Sequence, residues 1–188
     1  MLGYVDEVWW SRLAQPNMHA WSFDQPLRLV EQPMDKDDQQ PKALACYGVW
    51  LPEQQNMLLR FVEGRPLSWV TCRFLDWVCQ RLEQKGKRVW ALVWDNASWH
   101  ISQQVQTWID KHNKKVKQMG GVRIIVCRLP VKSPWLNRAA NRPIEPKWLH
   151  GKRAVVEPGG KPSKEELIER VYHHYDCQKA EPFAQKTA

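Results

Sequence analysis

The run RVWALVW at residues 88–94 is the feature that most constrains the fold of this chain. It is almost continuously apolar, which is typical of a central strand covered on both faces of a sheet. The run ends abruptly at Asp95 and Asn96, where the chain becomes polar. Ligands of α/β proteins bind beside the carboxyl ends of such strands, so Asp95 is the first candidate site residue.

Strands dominate the first third of the chain, and helices alternate with strands afterwards. β-branched and aromatic runs predict strands, and apolar residues at intervals of three and four predict helices. The predicted strands cover residues 3–10, 43–51, 57–62, 88–94 and 122–129. The predicted helices cover 67–85, 102–118, a short segment from Pro143 or Ile144, and a segment that begins at the capping box Ser163-x-x-Glu166. This order predicts one α/β domain over residues 1–177 with a mixed sheet flanked by helices, and a flexible tail over 178–188.

Positive charge is concentrated in one stretch of the chain. Residues 111–153 hold twelve Lys and Arg but a single carboxylate, Glu145, while the whole chain has a formal net charge of +8. This pattern is expected of a protein that binds a phosphate backbone, although a lysine-rich face that only keeps the protein in solution produces it too. The side chains predicted to contact phosphates are Lys132, Arg138, Arg142, Lys147 and Lys152.

Several other classes of protein are disfavoured. No segment approaches the ~18 apolar residues of a membrane span, and the first residues lack a signal-peptide pattern. The five cysteines are scattered and never form CxxC, which argues against a disulfide framework and against a zinc ribbon. We therefore expect a cytoplasmic protein with no membrane partner.

Two carboxylates occupy positions where a bound cation would stabilise them. Asp6 lies within an apolar strand and Asp95 directly follows one, and burying an unpaired carboxylate is costly. On neighbouring strands the two carboxylates would repel each other, unless a divalent cation that binds carboxylate oxygens lay between them. In a two-metal site, one ion activates the attacking oxygen and the other stabilises the leaving oxygen of a phosphodiester. The alternative is that Asp95 only caps a turn, helped by Asn96 and Ser98.

Four short motifs resemble the DDE transposases of bacterial insertion sequences in the mariner superfamily: GYVDE at 3–7, VWDNASWH at 93–100, KSPWLN at 132–137 and PIEPKW at 143–148. The resemblance implies an RNase H-like fold and a metal triad of Asp6, Asp95 and Glu145 that uses Mg²⁺, with Mn²⁺ as a substitute. It implies metal-dependent strand cleavage and strand transfer on DNA, with element ends and target as partners, in association with a bacterial nucleoid. Asn96 and His100 lie in the second motif and are auxiliary candidates, and His100 is either an orienting group or a satisfied loop histidine.

The sequence departs from the family pattern in two places. Residues 138–142 interrupt the block that carries the third acid, and Asp95 and Glu145 are 50 positions apart, longer than the family's usual interval. The chain also begins almost at the first catalytic strand, where the family carries helix-turn-helix modules. Two alternatives follow: an impaired remnant that acts at most as a DNA-binding protein, and a structure-selective nuclease. A homodimer on DNA and a separate N-terminal DNA-reading chain are the further partners that we expect.

The remaining candidates have structural explanations. Glu7 follows Asp6 but points to the opposite face of its strand, so it is not predicted to be a ligand. Most of the twelve tryptophans are predicted to lie in the core. Base stacking is the alternative for Trp99, Trp135 and Trp148, which flank the motifs.

Overall fold

The structure is a computed structural model. It describes residues 1–16, 29–130 and 144–184, except the side chains of residues 145 and 146. The predicted phosphate contacts Lys132, Arg138 and Arg142 therefore lie outside the described residues, as does the interruption at 138–142. No helix within the described ranges is long and apolar enough to cross a membrane.

A mixed sheet of five strands forms the centre of the fold, in the order β5-β4-β1-β6-β7. Its strands are β1 (Leu2–Ser11), β4 (Ala43–Leu51), β5 (Asn56–Val62), β6 (Val89–Trp94) and β7 (Arg123–Arg128). A separate pair consists of β2 (Ala14–Pro16) and β3 (Leu29–Glu31). β1 pairs with β4 in antiparallel and with β6 in parallel orientation, and β6 runs parallel to β7. The apolar run at 88–94 is thus an interior strand, as its composition predicts.

Five helices flank the sheet in the described part of the chain: α1 (Ser68–Gln84), α2 (Ser98–Ile101), α3 (Gln103–Met119), α4 (Ile144–Ala154) and α5 (Lys164–His174). The single helix expected over 102–118 is preceded by the short α2, because Ser102 adopts an extended conformation between α2 and α3. The Ser102 hydroxyl accepts a hydrogen bond from Val105 N at 3.3 Å and caps α3. The predicted capping box of Ser163 and Glu166 is present at the start of α5.

The two faces of the sheet carry two separate hydrophobic cores. The first core lies under α1 and α3 and includes Val5, Trp90, Leu92 and Trp94. The second core lies under α4 and α5 and includes Val8, Trp10, Cys46, Phe61, Trp148 and Val171. Side chains of a strand alternate between faces, so odd-numbered and even-numbered residues of β1 belong to different cores. Asp6 therefore shares the face of Val8 and Trp10, below α4.

Within the tail expected over 178–188, Phe183 is anchored to the sheet. Phe183 is only 3% exposed and belongs to the first core. Its backbone N donates to Phe61 O at 2.9 Å, and Glu63 N donates to Phe183 O at 3.0 Å. An aromatic residue with two backbone hydrogen bonds thus anchors this segment to β5, and residues 185–188 lie outside the described residues.

Candidate active site

The sheet register brings the two predicted aspartates side by side. Tyr4 of β1 pairs with Val93 of the parallel strand β6. If this register continues for two residues past that last pair, Asp6 of β1 lies next to Asp95, the residue that follows β6. Adjacent strands lie about 4.8 Å apart, and positions two residues on return to the same face of the sheet. The register therefore predicts that Asp6, in the middle of β1, and Asp95, directly after β6, lie side by side at the carboxyl end of β6, where α/β proteins bind their ligands.

His100 joins Asp95 to a second carboxylate. Its Nδ1 lies 2.9 Å from Asp95 Oδ1, and its Nε2 lies 2.8 Å from Glu7 Oε1. The imidazole is 1% exposed and stacks on Trp94, with 4.4 Å between the ring centroids. Burial by itself lowers the pKa of His100, but the hydrogen bonds and negative charges of Asp95 and Glu7 outweigh it and raise this pKa to about 9. At neutral pH His100 is therefore an imidazolium that donates to both carboxylates.

The turn after β6 holds Asp95 in place from a second side. Asp95 Oδ1 also accepts a hydrogen bond from Ala97 N at 2.9 Å, so Asp95 does cap this turn. Asn96 Nδ2 donates to Leu129 O at 2.6 Å, which ties the turn to the chain after β7. Asp95 still keeps 39% of its side chain exposed. Capping a turn and facing a ligand are compatible at this position.

Helix α4 carries the third predicted acid and packs on the face of Asp6. Trp148 of α4 is 4% exposed in the second core and lies against Gly48, the residue of β4 that pairs with Asp6. A Cβ atom on Gly48 would overlap the Trp148 ring, so the close approach of α4 to the sheet requires glycine there. Glu145 is the second residue of α4, and its side chain lies outside the described ones.

Two of the predicted phosphate contacts lie on α4. Lys152 is half-buried, and burial lowers its pKa while the negative charge of Asp6 opposes this change. Its ammonium group is thus within electrostatic range of the Asp6 carboxylate. Lys147 has its Nζ 3.7 Å from the centre of the Trp50 ring. Lys152 is therefore a neighbour of the candidate site, while Lys147 makes a cation–π contact.

The donor set suits a hard divalent cation, although it is described only in part. Carboxylate oxygens are the ligands that Mg²⁺ prefers, and Asp6 and Asp95 supply them from adjacent strands. Among the described side chains, no group of three or more His, Cys, Asp and Glu is placed to hold a metal ion. Glu145, the third acid of the predicted triad, is not among these residues, because its side chain lies outside the described ones.

Comparison with known proteins identifies the family. The family described as DDE superfamily endonuclease matches residues 31–168, about three quarters of the chain. The chain belongs to the DDE superfamily endonucleases. The match includes Asp95 and Glu145 but begins after β1, so the placement of Asp6 in this endonuclease domain rests on the sheet register. No curated protein matches the chain.

Solved structures similar to this DDE endonuclease domain support the RNase H-like fold. The Mos1 transposase paired-end complex with left transposon end matches with a TM-score of 0.64 and 15% identity over 95% of this chain. The Mos1 mariner paired end complex with Mn matches with a TM-score of 0.63 at 15% identity over the same share. In both cases the chain spans 48% of the Mos1 chain. The catalytic domain of Mos1 mariner transposase matches with a TM-score of 0.57 and 14% identity over 95% of this chain and 71% of that one.

Sequence reasoning missed one residue of this endonuclease site. Glu7 faces away from Asp6, as its position on the strand predicts, yet it reaches the site through His100. Its side chain is 9% exposed. The only signal in the sequence is a second acid next to Asp6 together with the histidine that ends the motif at 93–100. Linking the two required the sheet register, because Glu7 and His100 are 93 positions apart.

Proposed function

We propose that this chain is the catalytic domain of a mariner-type transposase that cleaves DNA strands and transfers them to a target. The observation that carries this proposal is the parallel register of β1 and β6, which when extended brings Asp6 next to Asp95, with α4 packed on the face of Asp6. The similar solved structures include complexes of Mos1 transposase with transposon end DNA. By extension, the partners of this chain are element ends and target DNA, and its source is a bacterial insertion sequence that acts in the cytoplasm.

The residues that would hold the divalent cations are Asp6, Asp95 and Glu145. When bound, Mg²⁺ or Mn²⁺ would activate the attacking oxygen and stabilise the leaving oxygen of the phosphodiester. A Mos1 complex with Mn is among the similar structures, which supports this choice of metal. The chain itself fixes the carboxylates before any ion arrives: the strand register sets Asp6, and Ala97 N and His100 orient Asp95.

The other charged groups prepare the site for a polyanion. Lys152, half-buried and close to Asp6, would contact a phosphate of the bound strand. Its partly buried position reduces the solvent screening of this contact. Lys132, Arg138, Arg142 and Lys147 remain proposed phosphate contacts. A homodimer on DNA and a separate N-terminal DNA-reading chain are proposed as partners for the complete reaction.

Calorimetric titration with Mn²⁺ tests the metal site without knowledge of the DNA substrate. We expect two sites in the unmodified protein and the loss of one in Glu145→Ala, while Glu165→Ala, an exposed acid of α5, serves as the matched control.

We expect Asp95→Asn to abolish Mn²⁺-dependent nicking of supercoiled plasmid DNA while the circular dichroism spectrum is preserved. Nicking that persists in this variant would remove Asp95 from the mechanism.

The interruption at 138–142 favours a second candidate, an impaired remnant that binds DNA without cleaving it. These five residues stand directly before the segment that carries Glu145, and metal sites tolerate little displacement of a ligand. In this case Mn²⁺ would not bind, or its binding would be the same in Glu145→Ala. Retained DNA affinity without metal binding would then assign the chain to the remnant class.

A further inference from the structure

We propose that a groove between α1 and α3 binds single-stranded nucleic acid, on the face of the sheet opposite Asp6. The groove is open and has a volume of about 820 Å³, within the range of ligand-binding clefts. Both helices pack on the first core, whereas Asp6 lies on the face of the second core. The groove therefore lies across the sheet from Asp6.

Three tryptophans give the groove its aromatic character. Trp69, Trp77 and Trp108 line it, and each packs against the first core while remaining partly exposed. Four of the ten tryptophans in the described part of the chain are fully buried, and four others, including these three, pack against a core while staying partly exposed. Trp108 stacks one ring face on His112, with 5.0 Å between the ring centroids, and each of the three indoles remains partly exposed beside the groove. An uncovered indole face can stack on a nucleobase of any identity.

Cations stand beside these aromatic rings. The Arg73 guanidinium lies 5.9 Å from the Trp69 ring centre, and the Arg60 guanidinium lies 5.4 Å from that of Trp77. Lys111 of α3 lines the same groove, and Asp76 is the one carboxylate among the lining residues. The Asp76 side chain accepts a hydrogen bond from Gln80 Nε2 at 2.8 Å, so it is engaged within α1. The groove is therefore cationic and fits an anionic ligand.

Three guanidinium groups at or beside the groove repel one another, and a bound anion would reduce this repulsion. Burial lowers the pKa of Arg60, and the neighbouring guanidinium groups of Arg73 and Arg81 lower it further. A bound phosphate would offset the repulsion among these groups. Alternating aromatic faces and cations are the combination by which proteins bind single strands, with bases on the rings and phosphates on the cations. A duplex keeps its bases stacked internally and offers no such faces.

Fluorescence anisotropy with a labelled thymidine 12-mer tests this groove. The titration is done on the full chain in EDTA, so that no cation joins the candidate metal site. We expect Trp108→Leu to weaken binding about tenfold, because one stacked base is lost, and Trp108→Phe to stay within about threefold. Lys111→Gln is expected to weaken binding more than Lys117→Gln, an exposed lysine of the same helix that does not line the groove. Thermal unfolding of each variant checks that the fold is retained.

Several outcomes would overturn the proposal. Absence of binding by the unmodified protein, equal losses in Trp108→Leu and Trp108→Phe, or equal losses in the two lysine variants would each do so. If polyglutamate competes as well as the oligonucleotide and also loses affinity in Trp108→Leu, the groove belongs to an acidic protein partner instead. Asp95→Asn is expected to bind the oligonucleotide normally, which separates this result from the test of the proposed catalytic function.

Discussion

At the scale of single residues, His100 is the group that organises the candidate site. It joins Glu7 on β1 to Asp95 after β6, so one buried cation ties together two strands that carry carboxylates. Groups that orient a metal ligand in this way fix the direction of its oxygen atoms. His100 and Glu7 are therefore positioning residues, and their effect on chemistry passes through Asp95.

The first prediction concerns Glu7→Gln, which removes the charge but keeps an acceptor for His100 Nε2. We expect its Mn²⁺ affinity to fall about tenfold, as is common when an outer-shell partner of a ligand is changed. Glu169→Gln is the control, since this exposed acid contacts only Lys179 among the described side chains. Calorimetry provides the affinities, and equal affinity in Glu7→Gln and the control would exclude a positioning role for Glu7.

The second prediction is a pH dependence of stability that belongs to His100. Folding raises the pKa of this histidine from 6.5 to about 9, so the protonated form favours the folded state. The stabilisation is complete below pH 6.5 and is lost as the pH rises through 9. It amounts to roughly 3 kcal/mol, because each pKa unit corresponds to about 1.4 kcal/mol.

Urea unfolding between pH 6 and pH 10, in EDTA, measures this dependence. The free energy of unfolding should fall more steeply in the unmodified protein than in His100→Gln. The readout is the difference between the two curves, because burial also raises the pKa of thiols such as Cys79, whose titration affects both proteins alike at high pH. Parallel curves would mean that His100 is neutral in the folded state.

At the scale of elements, the position of α4 depends on one contact with the sheet. Trp148 lies on Gly48, and its ring also makes edge contacts with Trp10 and Tyr175, at centroid distances of 6.2 and 5.7 Å. This aromatic cluster sets the height of α4 above Asp6. The residue that the family pattern assigns as third ligand, Glu145, lies on the same helix.

The third prediction is that Gly48→Ala displaces α4. The added methyl group meets the Trp148 ring, and such overpacking costs about 1–3 kcal/mol of stability. We also expect weaker Mn²⁺ binding, because α4 moves away from the sheet. Combining Gly48→Ala with Trp148→Phe makes room for the methyl group, so the double variant should recover part of the stability lost by Gly48→Ala. Simple additivity of the two changes in urea unfolding would argue against this contact.

The elements that sequence reasoning predicted best are those that local patterns encode. Strand β4 has the predicted bounds of 43 and 51, and the capping box at Ser163 forms as its residues indicate. The helix predicted over 102–118 is confirmed as α3, but the four-residue helix α2 before it was not predicted, since one turn is too short to show helical periodicity. The contact between Glu7 and His100 was also missed, because it depends on tertiary register. The motifs provided the triad, whereas the residues that orient it required the fold.

At the scale of the whole molecule, the sheet separates two surfaces with different chemistry. The face under α4 carries Asp6, with Lys152 within its electrostatic range, while the face under α1 and α3 carries the cationic groove. His100 reaches Asp95 from the side of the first core, where its ring stacks on Trp94. We expect variants in the groove that do not contact His100 to leave Mn²⁺ binding at the candidate site unaffected.

The last prediction tests this separation through the segment after α5. Phe183 lies in the first core, and the guanidinium groups of Arg60 and Arg73 lie 4.1 and 5.1 Å from its ring centre. Phe183→Ala should lower the free energy of unfolding by about 3 kcal/mol, as expected for truncation of a buried phenylalanine. It should also weaken oligonucleotide binding in the groove, because Arg60 and Arg73 lose their cation–π contacts with the Phe183 ring.

Phe183→Leu keeps most of the buried volume and serves as the matched variant, with an expected loss of less than half that of Phe183→Ala. Mn²⁺ titration of both variants should give unchanged affinities, since Phe183 packs beside the edge strand β5 on the face of the sheet opposite Asp6. A parallel loss of Mn²⁺ affinity and oligonucleotide affinity in Phe183→Ala would show instead that the two faces are coupled through the sheet. Independent behaviour would mean that the docked segment supports the groove alone.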